Sequence, residues 1–394
     1  MQHKLRILMV APEPVFEPRG TPFSVLYRTK ALCASGHTVD LATYHLGEDV
    51  PIQGLTYKRI VRVPFIKKVK VGPSITKIFL DVFLLWKTFF LLLRNRYDAI
   101  HTHEEAAFWG VILARLFRLP HVYDMHSSLV QQLGNFSFLN YRPFRALLRA
   151  LEKMVLRQSA AVITICRDLY DLVRRDHPQT PVANIENVLD NEYLFGRDDS
   201  LFQQYKERLA AYRVVLYYGT FEVYQGIDLL IGAANEILPR HKDVVFLLIG
   251  GKAEQIARFK GKACPERLWF MGTVHPRRLP AFVERADILA TTRIRGTNTP
   301  LKVYSYLRAG KPIVATDIYS HTQVFSPDTA CLVNTDAYAI AAGIEKVLTD
   351  PAYAAAIAGQ AAALARKSFS PESYQAKVDA LYQPLVLQPA RSKQ

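Results

Sequence analysis

Four cysteines in 394 residues, Cys33, Cys166, Cys264 and Cys331, are too few and too scattered for a disulfide framework. No CxxC pair or metal-ligand spacing joins them, so ordinary thiols in a reducing compartment are expected, without structural zinc. Long apolar runs are scarce as well. The best candidate, Ile78–Leu93 (IFLDVFLLWKTFFLLL), is broken by Asp81 and Lys87 and falls short of the roughly 20 residues that a spanning helix needs. The amino-terminal MQHKLRILMV ends its apolar run at Pro12 without a cleavage site, so no signal peptide is expected and a cytoplasmic protein is. There is no fixed-period repeat, no low-complexity run, no P-loop and no GxGxxG. Acid is in deficit, with 35 Asp and Glu against 50 Lys and Arg, a formal charge of +15. Such a balance asks for an anionic partner: nucleic acid, an anionic membrane surface or a phosphorylated small molecule. The chain has no nucleic-acid module and no aromatic-rich basic stripe, so nucleic acid is not the expected partner.

What is present is an alternation of short apolar runs with helical patterns, the signature of parallel sheets covered by helices. The length is more than one ordinary core can serve, so two domains are expected. Strands are expected at LRILMV, HTVDLATY, YKRIVRV, YDAIHTH, PHVYDMH, AAVITI and VANIEN, with a helix from about Phe23 to Gly36. The pattern restarts at Val214 with VVLYYGT and continues through DVVFLLIGG, RLWFMG, ADILATT, KPIVATD and ACLVN. The charged stretch Asp190–Tyr212 lacks a strand pattern and reads as the linker; the tail PARSKQ is expected to be mobile. The expected domains are therefore 1–190, joined by a C-terminal crossover helix at about 370–386, and 191–369. Basic residues around Ile78–Leu93 (Lys67, Lys68, Lys70, Lys77, Arg94, Arg96) leave two readings of that helix open. It is either packed wholly on a sheet or also leaning on a bilayer, the second giving a peripheral contact with an anionic membrane.

Open α/β sheets bind ligands at the carboxyl ends of their strands, and the polar residues there are the site candidates. The loop after the first strand carries Arg19, Gly20 and Thr21 at a helix start, which suits either a phosphate or a plain connection. HTHEE and YDMHSS place His103, Glu104 and His126 at strand ends, whereas His101 reads as structural. In the second half, YYGTFEVYQG contributes Gly219, Thr220 and Gln225, and LLIGGK contributes Gly250, Gly251 and Lys252. The stretch TTRIRGTNTPLKVYSYL adds Arg293, Arg295, Thr297, Asn298, Thr299, Pro300, Leu301, Lys302 and Ser305. Pro300 suits the first turn of a helix that Thr297 or Thr299 would cap, leaving open amides for an anion. Lys302 in that turn is locally unfavourable unless an anion binds nearby, or else it is simply solvated. No Ser/His/Asp order and no metal site emerges.

In order and spacing, ILMVAPEP, VDLATY, YDAIHTHEE, ITICRDL, NIENVLD, YYGTFEVYQGIDLL, FLLIGG, FMGTVHPRRLPAFVERADILATT and YLRAGKPIVATD resemble the GT-B retaining glycosyltransferases of the family 4 group. The resemblance covers nearly the whole chain. It implies an α/β GT-B architecture with two Rossmann-like domains facing across a cleft, an acceptor-side first domain and a nucleotide-sugar-binding second one. It also implies transfer from a nucleotide-diphosphate sugar with retention of configuration, without a cofactor or bound metal. By position, Gly20 and Thr21 match the family's glycine loop and His126 a histidine that contacts the donor sugar. Glu104 is a further catalytic candidate by its strand-end position alone.

The departures from that resemblance are specific. The basic pair that grips the donor diphosphate falls on Thr220 and Gln225. The two glutamates eight positions apart are missing: the second falls on Ser305, the first on Thr297, or on Arg295 if one residue is inserted. Relocation of the positive charge to Arg293, Arg295 and Lys302 is the expected compensation. The function expected is sugar transfer to a glycan or lipid-linked acceptor in cell-envelope polysaccharide or glycolipid synthesis. A non-catalytic GT-B-like binding or partner subunit is the alternative.

Overall fold

The computed structural model describes residues 4–15, 20–69, 74–128, 142–187, 196–260 and 266–387. The chain divides into two compact units, Met1–Asn187 with Pro371–Gln394, and Val188–Ser370. Arg19, Cys264 and the PARSKQ tail lie outside the described residues.

The first unit is built on a seven-stranded sheet: β1 (Arg6–Ala11), β2 (Thr38–Thr43), β3 (Leu55–Arg59), β4 (Ala99–His103), β5 (His121–Met125), β6 (Ala161–Thr164) and β7 (Val182–Asn184). All neighbouring pairs are parallel, in the order β3-β2-β1-β4-β5-β6-β7. A parallel sheet is covered on both faces, which is why β4 and β5 are buried at every position despite their histidines. Its helices are α1 (Gly20–Ala34), α2 (Ile75–Arg94), α3 (Ala106–Leu116), α4 (Arg142–Gln158) and α5 (Arg167–Asp176). α1 starts three residues earlier than the sequence pattern suggests. Pro22 is tolerated there because an amide in the first turn has no intrahelical partner to lose. Ser74 caps α2 by accepting from the Lys77 amide at 3.2 Å, and Leu80, Leu84, Thr88, Leu91 and Leu92 form its buried stripe.

The second unit repeats the plan with six parallel strands: β8 (Arg213–Tyr218), β9 (Val244–Ile249), β10 (Leu268–Gly272), β11 (Ile288–Thr291), β12 (Ile313–Thr316) and β13 (Cys331–Val333). Their order is β10-β9-β8-β11-β12-β13. The helices that matter below are α6 (Ile227–Ile237), α7 (Ala253–Lys260), α8 (Lys302–Arg308), α9 (Ala337–Thr349) and α10 (Pro351–Ser368). β9 is apolar and buried over its whole length, and α6 and α9 pack their apolar stripes into the same core. The last helix, α11 (Pro371–Leu387), belongs to the first unit. It packs on α1, with the Tyr27 and Tyr374 rings 5.8 Å apart and Gln375 donating to the Ala31 carbonyl at 3.0 Å.

The expected linker is more ordered than its composition suggests. Its described part holds two short helices, Ser200–Gln203 and Lys206–Ala210, fastened to the second unit. Arg197 pairs with Glu284 at 2.6 Å, Arg278 with Asp198 at 2.8 Å, and Leu209 is fully buried. Charges that made the stretch read as a linker are among those that hold it.

Both sheets reverse their strand order once, between β1 and β4 in the first unit and between β8 and β11 in the second. In open α/β sheets, ligand crevices lie outside the carboxyl ends of the strands at such points.

Candidate functional site

In the first unit the reversal point is flanked by Ala11 at the end of β1 and His103 at the end of β4. Glu104 follows in a left-handed conformation, φ 50°, which is uncommon for a residue with a side chain and turns the chain sharply off the strand. Its carboxylate accepts from Thr21 Oγ1 at 3.0 Å and from Ser127 Oγ at 3.4 Å. Thr21 stands in the first turn of α1, so a carboxylate already holds the residue that the sequence offered to a phosphate.

Behind Glu104 lies a buried network. Asp124 of β5 receives the Arg28 guanidinium at 2.8 Å, and His101, His103 and His126 approach the same carboxylate at 3.4, 3.9 and 3.3 Å. His103 Nδ1 lies 3.1 Å from His126 Nε2, and His101 Nδ1 is hydrogen-bonded to the Tyr382 hydroxyl of α11. Burial pushes the Asp124 carboxyl upward, but Arg28 and the imidazoles outweigh it and hold the group well below the usual carboxylate range. Burial lowers both His101 and His103, the latter strongly, so these rings are neutral at physiological pH. Ligand atoms of His101, His103 and Asp124 come within 4.8 Å of one another. The positive charge at that cluster is supplied by Arg28, which is completely buried and whose own pKa Asp124 raises against the effect of burial.

The structure brings His103, Glu104 and His126 to one end of the sheet, as their strand-end positions suggested, but at different depths. His103 is fully buried inside the network, whereas His126 keeps 4% exposure and Glu104 is partly exposed. His101 is fully buried and bonded to Tyr382, which suits the structural role expected of it. Arg28 and Asp124 went unnoticed, although an aspartate inside the buried strand HVYDM was a signal, since strands are depleted in Asp.

In the second unit the reversal point is framed by Gly219 after β8 and by the Thr292–Leu301 loop after β11. Gly250 (φ 134°) ends β9 against the Gly219 backbone, where a Cβ would come within 1.8 Å of the Gly219 carbonyl oxygen. Its glycine serves a backbone-to-backbone contact within the protein. Gly219 (φ 142°) leaves room on its other side for Lys302, whose Nζ would stand 3.0 Å from a Cβ at position 219.

Lys302 is 7% exposed. Its ammonium lies 3.8 Å from the centroid of the Tyr217 ring and 3.4 Å from Gln225 Oε1. Among the described residues no carboxylate pairs with it. Burial, with the repulsion of Arg293 added, drives its pKa well below the ordinary lysine value. Of the two alternatives the sequence left for Lys302, a solvated side chain does not match this burial. Gln225, also buried, fixes the arrangement by its contact with the Tyr217 hydroxyl.

The rest of the loop behaves differently from expectation. α8 is seven residues long, its N-cap is Leu301 in helical conformation, and no side chain caps it, so neither Thr297 nor Thr299 does so. Pro300 precedes the helix and its carbonyl accepts from the Val303 amide at 3.0 Å. Arg293 is turned back on its own loop, donating to the carbonyls of Arg295 (2.8 Å) and Asn298 (3.0 Å) beneath the Tyr224 ring. It shapes the loop, while Arg295, Thr297 and Thr220 are exposed and Thr299 Oγ1 is buried without a partner. Ser305 donates to the Lys302 carbonyl at 2.9 Å and meets the Tyr218 hydroxyl, so it anchors the first turn of α8. Beside Gly251 and Lys252 an open groove of about 560 Å³ runs between α7 and β10, walled by Ile256, Phe270 and Thr273.

Comparison with known proteins agrees with this architecture. The model of the glycosyl transferase 4-like domain matches residues 20–187, and that of the glycosyl transferases group 1 matches residues 212–350. The chain is 23% identical over 359 residues to a phosphatidyl-myo-inositol mannosyltransferase of Mycolicibacterium smegmatis, covering 88% of this chain and 85% of that one. The fold is shared with sucrose-phosphate synthase of Thermosynechococcus elongatus, with TM-score 0.76 and 19% identity over 98% of this chain and 100% of that one. It is shared too with HepE of Anabaena, solved in complex with UDP-glucose, with TM-score 0.71 and 16% identity over 96% of this chain and 100% of that one. Two parallel Rossmann-like sheets, each reversing once, and two adjoining family matches place the chain among the family 4-like glycosyltransferases of the GT-B fold.

Proposed function

We propose that the protein transfers a sugar from a nucleotide-diphosphate donor to a glycan or lipid-linked acceptor, with retention of configuration, in the synthesis of a cell-envelope polysaccharide or glycolipid. The observation that carries the donor half is the Lys302 ammonium, buried at the strand-order reversal beside Gly219 and Gln225 with no carboxylate partner among the described residues. A buried cation lacking an anion is costly unless a ligand supplies one. The family's diphosphate-gripping cation falls, by resemblance, on position 225, and Lys302 brings an ammonium to within 3.4 Å of that side chain. Charge is thereby kept at the pocket while the residue that supplies it changes. Lys302 takes over from the pair at 220 and 225, Arg293 holds the loop, and Arg295 faces solvent.

In the transfer, the acceptor hydroxyl attacks the anomeric carbon on the face from which the diphosphate departs. The bond from that carbon to the diphosphate oxygen breaks with its electron pair going to the oxygen, which takes the acceptor proton. Lys302 stabilises the departing charge, and the protein's contribution is positioning and electrostatics. In the first unit, His126, beside Asp124 and His103, and Glu104, held by Thr21 and Ser127, are the polar groups offered to a sugar substrate. The relatives support the two substrate classes: one is named for a phosphatidyl-inositol acceptor, and another was solved with a UDP-sugar.

A thermal-shift panel of uridine, guanosine and adenosine diphosphates and their sugar conjugates tests the reading. Selective stabilisation by one base, followed by turnover of its sugar conjugate, is the expected result. Absence of any shift, together with no hydrolysis or transfer, would instead favour the non-catalytic subunit.

A further inference from the structure

α2 buries one stripe on the sheet and leaves the opposite stripe uncovered. Ile78, Phe79, Val82, Phe83, Trp86 and Phe90 follow one another at helical spacing, and all are exposed, Ile78 at 65% and Trp86 at 56%. Scattered exposed apolar residues need no explanation, but a contiguous aromatic stripe does. The rings lie against each other, Phe79 with Phe83 at 5.0 Å and Trp86 with Phe90 at 6.1 Å, so they form one surface. Neighbouring elements extend it. Phe89 of α2 meets Phe117 at the end of α3, which exposes Ile112 and Leu116, and the loop packed under α2 through Val63 and Val69 exposes Phe65.

The charge along this segment is predominantly basic, although Lys77 is paired with Glu105 at 2.6 Å. From Val61 to Tyr97 the sequence holds eight Lys and Arg and a single acid, Asp81. Asp81 faces inward, accepting from the Tyr44 hydroxyl. Lys67, Lys68, Arg94 and Arg96 are exposed, and the Arg94 guanidinium lies 5.7 Å from the Phe90 ring, a stem on the apolar face with its head at the rim.

We infer that this face of α2 seats the protein on an anionic phospholipid bilayer, with the helix lying in the interface. A buried inner stripe and an apolar outer one with a basic rim fit that placement, and among the described residues no helix is long and apolar enough to cross a membrane. A second copy fits less well, because a two-fold contact through this stripe would bring two basic rims together. Anionic headgroups satisfy the rim while the aromatic rings enter the headgroup–acyl boundary. The inference stands on α2 and its rim alone and does not depend on the donor pocket.

The test is co-sedimentation of the full chain with vesicles of phosphatidylcholine alone and of phosphatidylcholine with phosphatidylglycerol, without any sugar donor. Binding to the anionic vesicles is expected, reduced about tenfold or more by Phe83→Ser with Trp86→Ser, and severalfold by high salt. A separate variant, Lys67→Ala with Lys68→Ala, touches no buried residue and should also weaken it, which keeps the test valid if the aromatic variant folds poorly. No binding to anionic vesicles, or equal binding by wild type and both variants, overturns the inference. A wild-type dimer that Trp86→Ser converts to monomer overturns it too, in favour of a second copy.

Discussion

Arg28 of the first unit and Lys302 of the second are both buried cations, 0% and 7% exposed, and their surroundings differ in one decisive respect. Arg28 has Asp124 at 2.8 Å, and three imidazoles surround the same carboxylate. Its pKa rises and that of Asp124 falls, each group stabilising the charge of the other. Lys302 has an amide oxygen and an aromatic face, both weaker partners than a carboxylate, and its pKa falls. A paired buried charge belongs to the structure; an unpaired one at a strand-order reversal is waiting for a ligand's charge.

The largest effect that sharpens this contrast is removal of the first unit's anion. Asp124→Ala leaves Arg28 buried and unpaired and should cost about 3–5 kcal/mol in chemical denaturation. A loss below about 1 kcal/mol would mean that the network does not depend on the pair. Next comes Gln225→Lys, which sets a second ammonium beside Lys302. Two like charges at about 4 Å cost up to about 4 kcal/mol at an intermediate dielectric. The exchange Gln225→Lys with Lys302→Gln should recover most of that loss, since it restores one cation and one amide. If the exchange is as unstable as the single variant, the two positions are not interchangeable.

Lys302→Met should behave in the opposite way to Asp124→Ala. Without ligand it should leave stability unchanged or raise it by up to about 2 kcal/mol, because an unpaired buried charge is removed. The smallest effect is in pH. The folded pKa of Lys302 is depressed, so between that value and the ordinary 10.5 the unfolded chain holds a proton that the folded chain lacks. Stability from this group therefore rises with pH through that window, by at most about 1.4 kcal/mol per unit, and Lys302→Met should flatten the rise. Denaturation curves at stepped alkaline pH measure it; an identical slope in both proteins would show Lys302 to be solvated in solution.

Strand positions were legible in the sequence to within a few residues because parallel strands are continuous apolar runs between turn residues. β3 is the instructive exception. It lies at the sheet edge and is only partly buried, and it occupies Leu55–Arg59 where the pattern pointed to 57–63. The roles of single polar residues were less legible, because burial is a tertiary property. Lys302 sits in a first helical turn that would normally be solvated, and nothing local reveals that Gly219, 83 residues earlier, makes room for it. Arg28 and Asp124 are 96 residues apart, and only the neighbouring placement of α1 and β5 joins them. The charged stretch before β8 misled for the same reason, its partners Glu284 and Arg278 lying far along the chain.

The most direct test of the account is calorimetric titration of the preferred nucleoside diphosphate, and of its parent nucleoside, into wild type, Lys302→Met and the Gln225/Lys302 exchange. A charge-assisted contact is worth about 1.5–3 kcal/mol. Lys302→Met should therefore weaken the diphosphate by about tenfold or more and leave the nucleoside unaffected, and the exchange should recover most of the loss. Equal diphosphate affinity in wild type and Lys302→Met would contradict the claim that this buried lysine holds the donor.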